Sequence, residues 1–135
     1  MTPLSVPAPP PNPTTAPFWD ALAEGRLVLQ RCRRCNVHQH YPGEVCRRCW
    51  SGELDWVASR GLGVIWTWTI VQRPGHPAWD QLAPYGVVIV ELDEGPRLVT
   101  LWDNGLDELA IERPVEIGSR RLAGHHVPVS LPRAD

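Results

Sequence analysis

The chain has 135 residues, 43% of them apolar, and a formal net charge of −2. That length fits one domain with a small satellite, and that apolar content argues against wholesale disorder. A mildly acidic chain lacks the strong basic patch of a general nucleic-acid binder, and no apolar run approaches the about 18 residues of a membrane helix.

The charge is unevenly spread. Residues 1–60 hold seven Arg against five acids, and residues 61–135 hold six Arg against ten, with no Lys anywhere. The N-terminus has no basic stretch followed by an apolar core, so no secretion signal is expected and the chain reads as cytoplasmic. In that compartment cysteines in C-x-x-C pairs point to metal rather than to disulfides.

Residues 1–16, "MTPLSVPAPPPNPTTA", contain six of the fifteen prolines. They read as an extended polyproline-like arm, disordered unless a partner captures it. "TTAPFWDALAEG" predicts a short helix in which Thr15 caps, Pro17 suits the first turn and Gly25 supplies a left-handed stop. Phe18, Trp19 and Leu22 form its apolar side, which must dock because so short a helix does not stand alone.

"RLVLQRC" predicts a strand entering the first cysteine pair, and "ELDWVASR" a strand leaving the second. From Gly61 onward the pattern is all β, with strands expected over residues 63–72, 85–95, 97–103, 115–122 and 127–131. "DEGP" at 93–96 reads as a tight hairpin, and "DNGLDELAIERP" as one helical turn among the strands. Five short strands with one long excursion over residues 73–84 fit a small closed barrel of the OB type. The expected fold is mainly β: an arm over 1–16, a helix and rubredoxin-like zinc ribbon over 17–60, and a five-stranded OB-fold barrel over 61–135.

All four cysteines fall within "RCRRCNVHQHYPGEVCRRCW". Each C-x-x-C turn presents two sulfurs, and the ten residues between Cys35 and Cys46 suffice for a hairpin that brings the turns face to face. Cys32, Cys35, Cys46 and Cys49 are therefore the expected ligands of a closed, structural zinc. Rubredoxin iron uses similar knuckles with a longer gap, a dithiol redox motif needs only one pair, and catalytic zinc needs an open position. His38 and His40 are read as ordinary loop residues. Asn36 suits the left-handed position after the first pair, but Trp50 does not suit it after the second. Either Gly52 takes over that turn, or packing fixes the Trp.

Arg31, Arg33, Arg34, Arg47 and Arg48 crowd the cluster. They offset the −2 that four thiolates leave on a divalent zinc, or face phosphates through their forked donors, or meet the acids of a partner. Seven Trp is a high count for this length. Along "VIWTWTI" strict alternation places Val64, Trp66, Trp68 and Ile70 on one face. Those rings fill the barrel core or form an exposed aromatic platform, and two on one inner face would be crowded, so at least one is expected at the barrel mouth or a subunit boundary. No catalytic set is recognisable. His76, Asp80, His125 and His126 lie on an excursion or a late turn, with no nucleophile at a motif spacing.

The order helix, short zinc ribbon, OB barrel resembles the acyl-CoA-associated zinc-ribbon/OB-fold proteins catalogued as domain of unknown function thirty-five. The residues that carry the resemblance are "FWDALAEGRLVLQRCRRC" (18–35), "YPGEVCRRC" (41–49), "GLGVIWTWTIV" (61–71), "PYGVVIVELDEGPRL" (84–98) and "EIG" (116–118). Trp50 departs from the glycine usual there. The resemblance implies an accessory partner of a thiolase-like or lipid-transfer-type catalytic subunit, an aldolase or thiolase that makes or breaks a C–C bond in an acyl-CoA, as in steroid side-chain or aromatic degradation. It implies a hetero-oligomer in which the larger chain does the acid/base work. Arg33, Arg34, Arg47 and Arg48 are then candidates for the CoA phosphates, and Phe18, Trp19, Trp66 and Trp68 for the partner interface. A stand-alone acyl-CoA-binding protein and a single-stranded nucleic-acid binder remain as alternatives, the acidic barrel half opposing the second.

Overall fold

Pro17 in the first turn starts α1 (Ala16–Ala23), and Gly25, at φ +79°, ends it by donating to the Leu22 carbonyl at 3.0 Å. Thr15 is the N-cap residue, but its hydroxyl donates to the Asn12 carbonyl and caps no helix N–H. The computed structural model describes residues 7–10, 12–122 and 124–133. Residues 1–6 and 11 of the expected proline arm lie outside the described residues. The described part runs beside α1, where Ala8, Pro9 and Pro13 line a groove of about 530 Å³ with Trp19 and His125.

The ribbon follows. β1 (Val28–Cys32) is the centre of a small antiparallel sheet, flanked by β2 (His38–Gln39) and β3 (Leu54–Ala58). The register pairs Gln30 with Gln39 on one side and with Trp56 on the other. The apolar side of α1 docks here, with Phe18 and Leu22 each 1% exposed, and joins Leu27 and Leu29 to the barrel interior in one continuous core.

The barrel comprises β4 (Leu62–Val71), β5 (Tyr85–Leu92), β6 (Arg97–Trp102), β7 (Pro114–Leu122) and β8 (His125–Pro132), closed in the order β4–β5–β6–β8–β7. Every pairing is antiparallel except β6 with β8, the parallel contact that closes the barrel. Ile65, Val88, Val90, Leu98 and Val115 fill the interior. A buried hydroxyl pair, Thr100 Oγ1 and Ser130 Oγ 2.8 Å apart, lies across the parallel contact, and since Thr100 donates its one proton to the Val88 carbonyl, Ser130 donates to Thr100. Gly63 is where the wall is tightest. A Cβ there would collide with the Glu91 carbonyl and come within 2.9 Å of Val90 Cγ1. The long excursion contains a 3₁₀ helix over Pro77–Leu82, and the expected helical turn is a 3₁₀ turn over Leu106–Glu108.

Glu94 joins ribbon to barrel. From the β5–β6 hairpin its Oε2 accepts from Ser59 Oγ and from the Arg60 N–H, both at 2.9 Å, while the Ser59 N–H donates to the Leu27 carbonyl. The linker is thus tied to both units by backbone and side chain.

Alternation along β4 fails at one point. Ile65 is opposite Val90, but Thr67 is opposite Ile89, so a β-bulge leaves Trp66 unpaired. The phase then shifts. Trp68 is opposite the buried Val88 and shares the inner side with Ile65, whereas Trp66 lies under the Arg97 guanidinium, 3.7 Å from its ring, on the outer side. The expected common face of Trp66 and Trp68 is therefore corrected, because one inserted residue reverses every later side chain.

Candidate metal centre and the clefts beside it

The two C-x-x-C turns have the same local construction. The Asn36 N–H donates to the Cys32 carbonyl and the Trp50 N–H to the Cys46 carbonyl, both at 2.8 Å. Each knuckle is sealed by its cysteine N–H, Cys32 to the Val37 carbonyl and Cys46 to the Ser51 carbonyl. Asn36 and Trp50 occupy the left-handed region, at φ 62° and 66°. Trp50 is 78% exposed, so neither Gly52 nor packing resolves the second turn. Trp50 itself adopts the strained conformation, at a cost of roughly 1 kcal/mol, because the turn must aim two sulfurs inward.

Those sulfurs interleave across the knuckles. Cys32 Sγ is 3.5 Å from Cys49 Sγ, Cys35 Sγ is 3.6 Å from Cys46 Sγ, and all four lie within 4.8 Å of one another. Zinc–sulfur bonds of about 2.3 Å in a tetrahedron put sulfurs roughly 3.8 Å apart, so the set fits the ion. Cys32 and Cys46 are buried, and Cys35 and Cys49 are partly so. The Cys35 N–H lowers the Cys32 thiol, and the Cys49 N–H, opposed by burial and aided by that of Arg48, brings Cys46 down to about 6. The Ser51 N–H also favours the Cys49 thiolate, yet burial and the three neighbouring sulfurs outweigh it and push that group up to about 11. Four thiolates so close need a cation between them.

Two glutamines that carry no motif hold the second knuckle to the first. Gln39 Nε2 donates to Gln30 Oε1 and to the Val45 carbonyl, while Gln39 Oε1 accepts from the Arg47 N–H. Gln30 donates to and accepts from the Gly43 backbone, each at 2.9 Å. Both side chains are buried on the small sheet. The available signal was position. Val28, Gln30 and Cys32 alternate along β1, so Gln30 points where the first metal ligand points.

The arginines separate. Arg33 pairs with Asp55 at 3.2 Å, and Arg31 donates to Asn36. Arg47, which also donates to the Tyr41 carbonyl, and Arg48 line a cleft of about 630 Å³ with His38, His40 and the hairpin residues Glu94 and Pro96. Arg33 and Arg34 do not line it. His40 is more than a loop residue. Its ring packs 4.9 Å from Phe18, and burial, with the Arg47 charge, lowers its pKa to about 4. Of the four expected interface aromatics, Trp66 and Trp68 are 45% and 37% exposed, Trp19 is half-buried, and Phe18 is buried. Phe18 therefore belongs to the core, against which Trp19 packs. Among the described residues, no helix is long and apolar enough to cross a membrane.

Residues 19–55 match the family described as ChsH2, rubredoxin-like zinc ribbon domain, and residues 56–120 match ChsH2, C-terminal OB-fold domain. A curated relative from Thermomonospora curvata, named probable enoyl-CoA hydratase alpha subunit, is 41% identical over 73% of this chain, which spans only 31% of that protein. A DUF35 domain-containing scaffold protein of Pyrococcus furiosus is 31% identical over 78% of this chain and 77% of its own length. Among solved structures, a chain of the Ltp2-ChsH2(DUF35) aldolase superposes with a TM-score of 0.81 and 35% identity, covering 93% of this chain and 98% of that one. A DUF35-family protein from Sulfolobus solfataricus, at TM-score 0.64 and 14% identity, shares the fold. With two thiolate knuckles carried on a helix-and-ribbon unit beside a closed five-stranded barrel, this chain belongs to the ChsH2-type zinc-ribbon/OB-fold (DUF35) family.

Proposed function

We propose that this chain is a zinc-containing, non-catalytic subunit of a thiolase-like enzyme that makes or breaks a C–C bond in an acyl-CoA, in steroid side-chain or aromatic degradation. The observation that carries the reading is the pairing of a coordinatively closed metal set with exposed aromatic surface. Four cysteines exhaust a tetrahedral zinc and leave no position for substrate. Trp66 on the outer face and Trp68 on the inner side meanwhile both remain exposed, although other side chains already fill the barrel core. The metal joins two turns and so builds the ribbon. Cys32, Cys35, Cys46 and Cys49 hold it, and the Gln30–Gln39 pair sets the knuckles' separation.

In this reading the units are an arm over 1–16, helix and ribbon over 17–60, and barrel over 61–135. Trp19, Trp66 and Trp68 meet the catalytic subunit, Phe18 supporting Trp19 from within through an edge-on contact at 4.9 Å. Arg47 and Arg48 stand at the cleft where CoA phosphates can be met by forked donors. The likeness to a chain of an aldolase supports a C–C bond enzyme as partner. The likeness to part of a protein named as an enoyl-CoA hydratase subunit favours a second reading, in which the acyl-CoA enzyme served is a hydratase.

The test is to produce the large subunit with and without this chain, and to follow both C–C cleavage and enoyl hydration of CoA thioesters. The accessory reading expects activity only from the pair, with the reaction observed choosing between the two partners. Full activity from the large subunit alone, or turnover by this chain alone, rejects it.

A further inference from the structure

β4 is paired along only part of its length. Its outer edge meets β7 over Leu62–Val64, and Ile65 then exchanges hydrogen bonds with Arg113 and Glu112. From Trp66 to Val71, among the described residues, no strand and no backbone hydrogen bond takes that edge, while the other edge remains laddered to β5 as far as Val71 opposite Tyr85. Trp66, Thr67, Trp68 and Thr69 are all exposed, on both faces of the strand. A row of open peptide groups is thus flanked by an indole on either side, an arrangement that the bulge at Trp66 produces.

Soluble proteins ordinarily blunt such an edge with charge or proline. Neither lies on this strand: residues 62–72, "LGVIWTWTIVQ", contain no charge and no proline, and the bulge sits only at the start of the open stretch. An unblunted edge invites a further strand, for which main-chain hydrogen bonds give affinity and alternate side chains give selectivity.

We propose that this free edge takes an extended, uncharged strand of the catalytic subunit, gripped between Trp66 on the outer face and Trp68 on the inner. The proposal rests on the accessory-subunit reading. Two arguments fix the occupant. The strand that forms this edge has no ionisable side chain of its own, and the one guanidinium over its Trp66 ring, that of Arg97, is already paired with Glu91 at 3.3 Å. A charged strand would therefore find little counter-charge, and burying an unpaired charge is costly. A ladder of six residues is only about 20 Å long, and one strand pair of that length buries far less than the roughly 1,200 Å² of a lasting interface. The strand therefore belongs to a larger footprint. Such a footprint continues on the outer face of the same sheet, where Val87, Val99 and Leu101 line a shallow groove of about 230 Å³ with Trp79 and Tyr85, and Val99 is 59% exposed. A second copy pairing edge to edge would supply the short ladder alone.

The experiment follows backbone amide exchange in the whole chain, free and in complex with the thiolase-like subunit that co-purifies with it. Strand addition slows exchange within residues 66–71 by about tenfold or more on complex formation. Thr69→Lys, a charge placed at an exposed position of the edge, weakens the complex about tenfold while zinc content and the melting of the free chain stay unchanged. A complex that forms with residues 66–71 exchanging as in the free chain, or that tolerates Thr69→Lys, overturns the strand and leaves the accessory reading intact. Slowing that grows with the concentration of the free chain overturns it in favour of a second copy. Failure of any complex to form removes the accessory reading itself, and the named occupant with it.

Discussion

Gln30 Oε1 accepts hydrogen bonds from both Gln39 Nε2, at 2.8 Å, and the Gly43 N–H, at 2.9 Å. One oxygen therefore spans the two strands of the ribbon and the loop that leads into the second knuckle. Gln30→Leu should deprive the part-buried Gly43 N–H and carbonyl of their partner and leave Gln39 Nε2 only the Val45 carbonyl, at a cost of about 1–3 kcal/mol for each group left without a bond. The expected result is a lower melting temperature and faster transfer of zinc to a chelator, with all four cysteines still present. Unchanged zinc release would show that the knuckles hold their spacing without this network.

The purified chain should contain about one zinc and no visible iron absorption. Cys49→Ser, at one of the two partly exposed ligands, should abolish stoichiometric metal and unfold the ribbon, since binding and folding are coupled. The core runs without a break from Phe18 and Leu29 to Ile65 and Val88, so loss of the ribbon should loosen the barrel as well. Metal analysis and the near-ultraviolet signal of the tryptophans report the two effects separately. Stoichiometric iron that is reversibly reduced would revive electron transfer.

His40 makes stability depend on pH. Its folded-state pKa is lowered to about 4, by burial first and the Arg47 charge second, against an ordinary value of 6.5. Between those values the unfolded chain binds the proton and the folded chain does not. Stability from this group is thus complete above pH 6.5 and falls as the pH drops towards 4, by about 2 kcal/mol between pH 7 and pH 5. His40→Leu should flatten that part of the profile, measured by urea unfolding across the range. Zinc release at low pH is common to both proteins and cancels in the comparison. Equal slopes would place the acid sensitivity elsewhere.

What could be read from the sequence divides along physical lines. The thiolate knuckles were legible because a tetrahedral ion demands four ligands at short, fixed spacing, which Cys32, Cys35, Cys46 and Cys49 display in the linear order. The barrel was legible because β-branched runs and turn residues are local signals. The face of Trp66 was not, since a bulge is one unpaired residue opposite Ile89, and no residue type announces it. Gln30 and Gln39 were hidden for a related reason: their importance lies in partners nine and thirteen residues away. Trp50 was misjudged because solvent exposure, which the knuckle provides, makes a bulky residue tolerable in the left-handed region. The arginines looked like one cluster in sequence, yet the two knuckles carry their pairs to different surroundings.

That separation gives the arginines a discriminating test in the active complex. Arg47 and Arg48 line the cleft beside the β5–β6 hairpin, whereas Arg33 is held by Asp55 and neither Arg33 nor Arg34 reaches that cleft. If CoA phosphates lie there, each charge-assisted bond lost costs about 1.5–3 kcal/mol, which is tenfold or more in apparent affinity. Arg48→Ala should raise KM for the CoA ester by about tenfold with kcat little changed, because the phosphates are remote from the reacting carbon and bind alike in ground and transition states. Arg47→Ala should do the same, but it also loses the bond to the Tyr41 carbonyl, so Arg47→Lys and a zinc assay are needed beside it. Arg33→Ala with Arg34→Ala should leave KM close to that of the parent, contrary to the expectation from sequence that treats all four alike. Steady-state kinetics at two salt concentrations checks this, since a phosphate contact weakens as salt screens it. A rise in KM confined to the Arg33/Arg34 variant would move the CoA site to the first knuckle, and no rise in either would leave the arginines to offset the thiolate charge alone.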